Sequence, residues 1–226
     1  MTSVVDVVIP AWNAERFIEE AITSVLSQTR PPRTIVVVDD GSTDGTAAIA
    51  AQLDPAVQVV AREHEGIGAA RNAGIAATTS DLVAFIDADD VWLPTRLERQ
   101  LDALHDDESI DAVFCLIDEF YDERDGPLTG VRPLQLGVTG ALTSGALLRR
   151  ELIERVGPFG AYAVGDWVAW WARARALGTR EFHVQEVLVR RRIHGANNSM
   201  NTELEASTFL AIARSHLHEK RTKITP

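Results

Sequence analysis

Four short apolar runs, each followed by a helical pattern, occupy the first half of the sequence. The runs are rich in β-branched residues and cover residues 4–9, 34–38, 57–60 and 82–86. Apolar residues spaced three and four apart follow the first run, Ala-rich stretches follow the second and third, and Pro94 stands at a helix start after the fourth. This alternation predicts an α/β fold with a mostly parallel central sheet flanked by helices.

Polar clusters follow three of the four runs, at residues 10–13, 39–44 and 87–90. In a sheet of this kind, ligands bind beyond the carboxyl ends of the strands. The sequence therefore predicts a ligand site at this edge of the sheet.

The second half of the sequence is less regular. It predicts strands at residues 112–116 and 187–193, turns over 126–140, a helix over 166–177 and an amphipathic helix over 202–220. No internal repeat and no linker rich in Pro, Gly or Ser divides the chain, so we expect one domain over residues 1–226. Its parts are two halves, about 1–105 and about 106–200, and the C-terminal helix.

The composition excludes several classes of protein. The chain has 226 residues, 46% of them hydrophobic, and a formal net charge of −11, which is unlike a nucleic-acid binder. The single cysteine, Cys115, lies in an apolar run, so it forms no internal disulfide and indicates a reducing compartment. Without a basic leader or a run near ~20 apolar residues, we expect a cytoplasmic protein with no transmembrane segment. Peripheral attachment at the inner face of a membrane stays open.

Three carboxylates, those of Asp87, Asp89 and Asp90, crowd the end of the fourth run. Such groups repel one another unless a cation or hydrogen-bond donors offset their charge. Oxygen ligands of this type suit Mg²⁺ or Mn²⁺. A solvated loop or a helix N-cap is the alternative interpretation.

Four motifs in this order resemble the family 2 glycosyltransferases, which are inverting enzymes with the GT-A fold that use nucleotide-sugar donors. The motifs are VIPAWN at residues 8–13, VVVDDGSTDGT at 36–46, ARNAG at 70–74 and FIDADD at 85–90. The resemblance covers residues 4–105 densely and resumes at 157–159, 165–167 and 190–199. It implies a hexosyltransferase whose first half binds the donor, a UDP-sugar by preference, and whose second half binds the acceptor.

The resemblance implies a donor site built from all four motifs. Its residues would be Pro10, Ala11, Asn13, Asp39, Asp40, Arg71, Asp87, Ala88 and Asp89. A carboxylate such as that of Asp40 can accept the imide N–H of uracil and a ribose hydroxyl. An Asp-Gly turn is the alternative for the second motif. Gly66, Gly68 and Arg71 begin a helix, whose free amides attract an anion. Arg71 itself could bind a phosphate or pair with an Asp.

The resemblance also implies the metal ligands and the catalytic base. Asp89 would hold the cation, and Asp87 and Asp90 would touch the ribose, orient Asp89 or share the metal. His194 would reach the cation or the diphosphate, with a structural histidine as the alternative. Asp166 would be the base that deprotonates the acceptor hydroxyl. Without the resemblance, an N-cap is the simpler interpretation of Asp166. Gly165 replaces an acid that the family usually has, which keeps a non-catalytic nucleotide-sugar binding module as the alternative function. A sugar nucleotidylyltransferase is disfavoured, because its glycine-rich, arginine-containing loop is absent from residues 10–20.

Arg190 and Arg192 would point the same way along a strand, as possible contacts for a diphosphate or as a solvated strand edge. Trp12 and Trp167 are candidates for stacking on a base or sugar ring, whereas core packing is expected for the remaining tryptophans. The acceptor could be a sugar, a glycan, a lipid or a small molecule. The C-terminal helix could pack on its own domain or form a homodimer.

Overall fold

A computed structural model describes residues 4–122, 124, 135–137, 142–162 and 165–195 of the protein. Within these residues the chain forms eight strands and six helices. The strands are β1 (Val5–Ala11), β2 (Thr34–Asp39), β3 (Val57–Ala61), β4 (Leu82–Phe85), β5 (Val91–Trp92), β6 (Ala112–Tyr121), β7 (Leu147–Arg149) and β8 (Glu181–Ile193). The helices are α1 (Ile18–Leu26), α2 (Thr46–Leu53), α3 (Ile67–Ala77), α4 (Arg96–Asp106), α5 (Arg150–Val156) and α6 (Asp166–Ala176). A 3₁₀ turn covers Thr143–Gly145.

The strands form one sheet in the order β3-β2-β1-β4-β7-β6-β8-β5. Strands β1 to β4 are parallel, with Ile9 opposite Val37 and Val8 opposite Phe85. Every residue of β1 is buried, as expected for a strand covered on both faces. The four strands and the helices that follow them confirm the prediction for the first half of the chain.

The second half of the sheet is mixed. Strand β7 runs antiparallel to β4 and β6, while β6 and β8 are parallel and share a long register with irregularities beside Leu116. Both long strands exceed their predicted lengths, and β5, β7, α5 and the 3₁₀ turn were not predicted. Strands of two or three residues have too little periodicity to be read locally, because only pairing with neighbours defines them.

Helix α3 lies unusually close to β1. A Cβ atom on Gly74 would overlap the side chain of Val8 and would also lie 3.2 Å from that of Val38. The absence of a side chain at this position therefore lets α3 pack closely against the sheet. This packing also fixes the distance from the sheet to Arg71, one turn earlier in the helix.

The two faces of the sheet carry separate cores. One face packs against α1 and α4, and the other packs against an aromatic layer of α6. Cys115 is buried, as predicted. Trp167 is also buried, 6.1 Å from the ring of Phe85 and 6.0 Å from that of Phe159, so its ring packs in the core. Trp92, Trp170 and Trp171 are buried as expected, whereas Trp12 is 52% exposed.

Two predicted regions, the turns over 126–140 apart from residues 135–137 and the helix over 202–220, lie outside the described residues. In the part of the chain that the structure describes, no helix has the length and apolar character needed to cross a bilayer.

Candidate active site

Four elements bring charged side chains together at the carboxyl edge of the parallel strands. The acidic loop 87–90 follows β4, Arg71 projects from α3, Asp166 begins α6 and His194 follows β8. These residues are far apart in the sequence, and the sheet order places them side by side.

Arg71 bridges two of the predicted site carboxylates. Its Nη1 donates to Oδ2 of Asp166, and its Nη2 donates to Oδ1 of Asp87 at 3.0 Å. Burial alone would lower the pKa of Arg71, but the charges of Asp166 and Asp87 raise it above its usual value. The guanidinium is therefore a fixed positive charge between the two acids.

Asp166 is the first residue of α6 and does not cap the helix. Gly165 occupies the N-cap position, and no side chain provides a capping hydrogen bond. Oδ2 of Asp166 accepts from Arg71, and no hydrogen bond reaches Oδ1 from any described residue. The N-cap interpretation of Asp166 is therefore wrong.

Gly165 stands at the position of the acid that the sequence leads us to expect from the family. Its backbone has φ 77° and ψ 10°, which is the left-handed region that glycine adopts readily and an acidic residue adopts at a cost. A glycine therefore suits the backbone at this position.

The three acids of the 87–90 loop point in different directions. Asp87 faces Arg71, whereas Oδ2 of Asp89 lies 3.0 Å from Nε2 of His194. Burial raises the pKa of Asp87 against the opposing charge of Arg71. Ala88, between these acids, is buried.

Asp90 is buried away from the other two acids. Its Oδ2 accepts from Oγ of Ser144 at 2.5 Å, and its Oδ1 accepts from the amide of Arg192 at 3.1 Å. Burial and then the charges of Asp89 and Asp87 raise the pKa of Asp90 well above its usual range. The sequence does not separate these three carboxylates, and the fold gives each of them a different partner.

Asp89 and His194 could hold a divalent cation. Oδ2 of Asp89 and Nε2 of His194 lie 3.0 Å apart, within hydrogen-bond distance. Two ligands at right angles, each ~2.1 Å from an ion such as Mg²⁺, would lie about equally far apart, so the pair could hold an ion in place of this hydrogen bond. Among the described residues, no group of three His, Cys, Asp or Glu side chains is arranged to hold a metal. A protein contribution of one or two ligands is typical where substrate phosphates complete the coordination.

Asp40 holds the segment just before α3. Its carboxylate accepts from the amides of Glu65 at 3.2 Å and Gly66 at 2.8 Å, and it also contacts Arg62 at 3.2 Å and His64 at 2.9 Å. These two amides precede α3, whose first residue is Ile67. Anion binding at the start of the helix itself stays a prediction.

The other donor-motif residues lie along the ends of β1 and β2. Pro10 pairs with Val38 and Ala11 pairs with Asp39 in the parallel register. Asp39 is 6% exposed, and its Oδ1 accepts from the amide of Ser42 at 3.3 Å. Its carboxylate therefore shapes the turn after β2.

Asn13 joins the loop after β1 to the loop after β2. Its backbone has φ 49°, and its Oδ1 accepts from the amide of Thr43 at 2.9 Å. The backbone amide of Asn13 donates to Oγ of Ser42 at 2.9 Å. Asn13 therefore connects the two loops through these two hydrogen bonds.

Two residues near the site, His64 and Ser144, are not predicted from the sequence. The ring of His64 stacks on that of Trp12, with centroids 4.6 Å apart and planes 24° apart. Ser144 contacts the acidic loop from the 3₁₀ turn. His64 stands in a polar stretch between β3 and α3, and no local pattern there distinguishes it from a solvated residue.

Arg190 and Arg192 both lie over the ring of Phe120, at 4.3 Å and 4.6 Å, so they share one face of β8 as the alternation predicts. Arg192 is buried and donates to Glu20 at 2.5 Å and to the carbonyl of Asp89 at 3.0 Å. Arg190 is exposed. Arg192 thus has partners within the protein, and contact of either arginine with a diphosphate stays a prediction.

Comparison with known proteins identifies the family. The model of glycosyl transferase family 2 matches residues 6–157. An uncharacterized glycosyltransferase from Nostoc sp. (strain PCC 7120 / SAG 25.82 / UTEX 2576) is 36% identical over 224 residues, covering 87% of this chain and 67% of that protein. The putative teichuronic acid biosynthesis glycosyltransferase TuaG of Bacillus subtilis (strain 168) is 40% identical over 102 residues, 43% of this chain and 40% of that protein. The chain belongs to glycosyl transferase family 2.

Solved structures share the fold. Mannosyltransferase PcManGT from Pyrobaculum calidifontis, in complex with GDP-Man and Mn²⁺, superposes with TM-score 0.73 and 23% identity over 95% of this chain and 64% of that chain. S. aureus TarS 1-349 in complex with UDP-GlcNAc has TM-score 0.72 and 18% identity over 88% of this chain and 61% of that chain. The GT-A fold expected from the sequence is confirmed. The chain spans less than two thirds of the length of both structures.

Proposed function

We propose that this chain is a metal-assisted, inverting hexosyltransferase that transfers a sugar from a nucleoside-diphosphate donor, by preference a UDP-sugar, to an acceptor hydroxyl. The observation that carries the proposal is the state of Asp166, whose Oδ2 is held by buried Arg71 while Oδ1 has no hydrogen-bond partner among the described residues. An oriented carboxylate with one open oxygen has the form that a general base needs.

In this mechanism Oδ1 of Asp166 accepts the proton of the acceptor hydroxyl. The acceptor oxygen forms the new bond to the anomeric carbon, and the bond between that carbon and the diphosphate breaks with its electron pair on the phosphate oxygen. Inversion requires the base on the face opposite the leaving group. Arg71 supports this role because its second contact, to Asp87, keeps the guanidinium in place beside Asp166.

Asp89 and His194 are the proposed ligands for Mg²⁺ or Mn²⁺, and Asp87 completes the acidic face toward the donor. When bound there, the cation would supply positive charge that stabilises the leaving diphosphate. One structural relative is named as a complex with GDP-Man and Mn²⁺ and another as a complex with UDP-GlcNAc, which supports donors of this class. The exposed Trp12 and His64 pair lies beside the ends of β1 and β2 and is the proposed surface for the nucleobase.

The first experiment measures thermal unfolding with UDP, GDP, dTDP and CDP, each with Mn²⁺ and with EDTA. A ligand at 100 times its Kd stabilises by about 2.7 kcal/mol, and each kcal/mol shifts Tm by roughly 2–4 °C at this size. We expect one nucleotide to raise Tm, and to do so more strongly with Mn²⁺. No shift with any nucleotide would contradict the proposed donor class.

The second experiment compares the Asp166→Asn variant with the wild type in donor binding and in sugar transfer to mixed acceptors. A catalytic base predicts unchanged nucleotide affinity and a loss of turnover. The control is Asp102→Asn, which removes a carboxylate paired with Arg30 at 3.0 Å on the surface. Nucleotide binding without turnover in the wild type would favour the non-catalytic binding module.

A further inference from the structure

We propose that Asp90 and Ser144 form a positioning pair that holds Asp89 against His194, and that neither of the two contacts the cation. The inference rests on the proposed function, because it assumes that Asp89 and His194 are the metal ligands. It assigns a role to the third acid of the loop and to a serine outside all the sequence motifs.

Exposure separates the three acids of the loop. The side chains of Asp87 and Asp89 are 35% and 26% exposed, whereas Asp90 is 4% exposed. Both carboxylate oxygens of Asp90 accept hydrogen bonds inside the protein, from Oγ of Ser144 and from the amide of Arg192. Asp90 therefore faces the protein interior, while the other two acids face the solvent side.

The bond from Asp90 to Arg192 controls where His194 lies. Arg192 is close to the end of β8, two residues before His194. Its amide is held by Asp90, and its Nε donates to the carbonyl of Asp89 at 3.0 Å. The end of β8 is thus attached twice to the acidic loop, and this attachment places Nε2 of His194 3.0 Å from Oδ2 of Asp89.

Ser144 attaches the loop on its other side. Its Oγ donates to Asp90 and accepts from the amide of Asp87 at 3.1 Å, so one hydroxyl joins both ends of the loop. The carbonyl of Ser144 in turn accepts from Nε1 of Trp92 at 3.0 Å. The hydroxyl is therefore fixed in position before any ligand binds.

Buried side chains of α4 make the 3₁₀ turn rigid. Nε2 of Gln100 donates to the carbonyl of Gly145 at 2.8 Å, and Nη2 of Arg96 donates to the carbonyl of Ala146 at 3.0 Å. Three successive carbonyls, beginning with that of Ser144, are thus held by buried donors. Such supporting contacts orient metal ligands, and their loss typically weakens metal binding.

The test measures Mn²⁺ binding directly, by the electron paramagnetic resonance signal of free Mn²⁺, with UDP present. For Ser144→Ala we expect the Kd for Mn²⁺ to rise about 10–100-fold, while UDP affinity in EDTA stays at the wild-type value. Ser144→Thr keeps the hydroxyl and is expected to restore most of the affinity. Asp90→Asn keeps the shape of the side chain but loses an acceptor for Ser144, and it is expected to weaken Mn²⁺ binding as well.

The matched control is Ser24→Ala. Oγ of Ser24 accepts from the amide of Trp92 at 3.1 Å, so this variant also loses a serine hydrogen bond near the acidic loop, but not one to Asp90. We expect a similar fall in Tm and an unchanged Kd for Mn²⁺. Equal losses of affinity in Ser24→Ala and Ser144→Ala would overturn the positioning role.

The outcomes separate the two proposals. If the wild type binds Mn²⁺ with UDP and Ser144→Ala binds it equally well, the positioning pair is wrong and the proposed function stands. If the wild type binds no Mn²⁺ with any nucleotide, the metal-assisted function and the positioning pair both fail.

Discussion

The side chains of Arg71 and Asp166 form an ion pair in which only 3% and 5% of their surfaces are exposed. The same guanidinium contacts Asp87, so one residue of α3 connects the acidic loop to the proposed base. Removing one member of a buried ion pair leaves the other charge uncompensated and destabilises the fold. Substitutions at these residues therefore test the pair.

Replacing Arg71 leaves two carboxylates without their cation. We expect Arg71→Met to lower the free energy of unfolding by about 3–5 kcal/mol, measured by urea denaturation at pH 7. Arg71→Lys keeps the charge but cannot donate to both acids in the same geometry, and kcat is expected to fall about 100-fold. Arg30→Met, which removes a surface pair, is the control and should change stability by less than about 1 kcal/mol. A wild-type kcat in Arg71→Lys would contradict the connection.

Substitutions at Gly68 and Gly74 distinguish a change at the proposed active site from a change in the hydrophobic core. A Cβ on Gly68 would overlap the carbonyl oxygen of Gly160 and lie 3.6 Å from Cβ of Asp166. We therefore expect Gly68→Ala to displace the segment before α6 and to lower kcat. Gly74→Ala would overlap Val8 instead and should lower stability by about 1–3 kcal/mol. Activity assays and thermal unfolding of both variants test this, and a greater loss of kcat in Gly74→Ala would contradict it.

Asp6 predicts an acid-dependent part of the stability. Burial would raise the pKa of Asp6, but the amides of Ser80 and Thr79 and the guanidinium of Arg33 together lower it below its usual value. As the pH falls, the carboxylate of Asp6 is therefore protonated in the unfolded chain before it is protonated in the folded chain. The stabilisation is complete above the unfolded pKa of about 3.9, and it is lost as the pH falls through the folded pKa.

The variant Asp6→Asn tests this dependence. At pH 7 it should be less stable than the wild type by about 1–3 kcal/mol, because the charged acceptor for Arg33 at 2.7 Å is lost. The difference should shrink as the pH falls below 4, followed by urea denaturation at several pH values. A difference that is the same at pH 7 and at pH 3 would show that charge is not its cause.

Trp12 tests the proposed nucleobase surface. Because its side chain is half exposed, Trp12→Ala should change Tm little, while the loss of about 1–2 kcal/mol of stacking should raise the Kd for the nucleotide about 5–30-fold. Calorimetric titration measures the affinity. The control is Phe182→Ala, which removes a different exposed aromatic side chain, on β8, and should leave the Kd for the nucleotide unchanged. An unchanged Kd in Trp12→Ala would place the base elsewhere.

The first half of the fold was predictable because its signals are local. The runs that became β1 to β4 are short and mostly apolar, and Pro94, the Asp-Gly turns and the Ala-rich stretches mark the connections. Strand β7 and the 3₁₀ turn were not predictable. They are only three residues each, and hydrogen bonds from distant segments define them.

The sequence by itself determined the α/β class with its four parallel N-terminal strands, the family and the placement of the acidic loop at a strand end. Only the tertiary structure decided what each charge faces. Asp40 binds the segment just before α3, Asp87 faces Arg71, Asp89 faces His194 and Asp90 turns inward to Ser144. Each of these contacts joins residues at least 16 positions apart. The direction of a carboxylate depends on which hydrogen-bond donors the folded chain brings within about 3 Å. These donors come from distant parts of the chain, so the local sequence does not predict them.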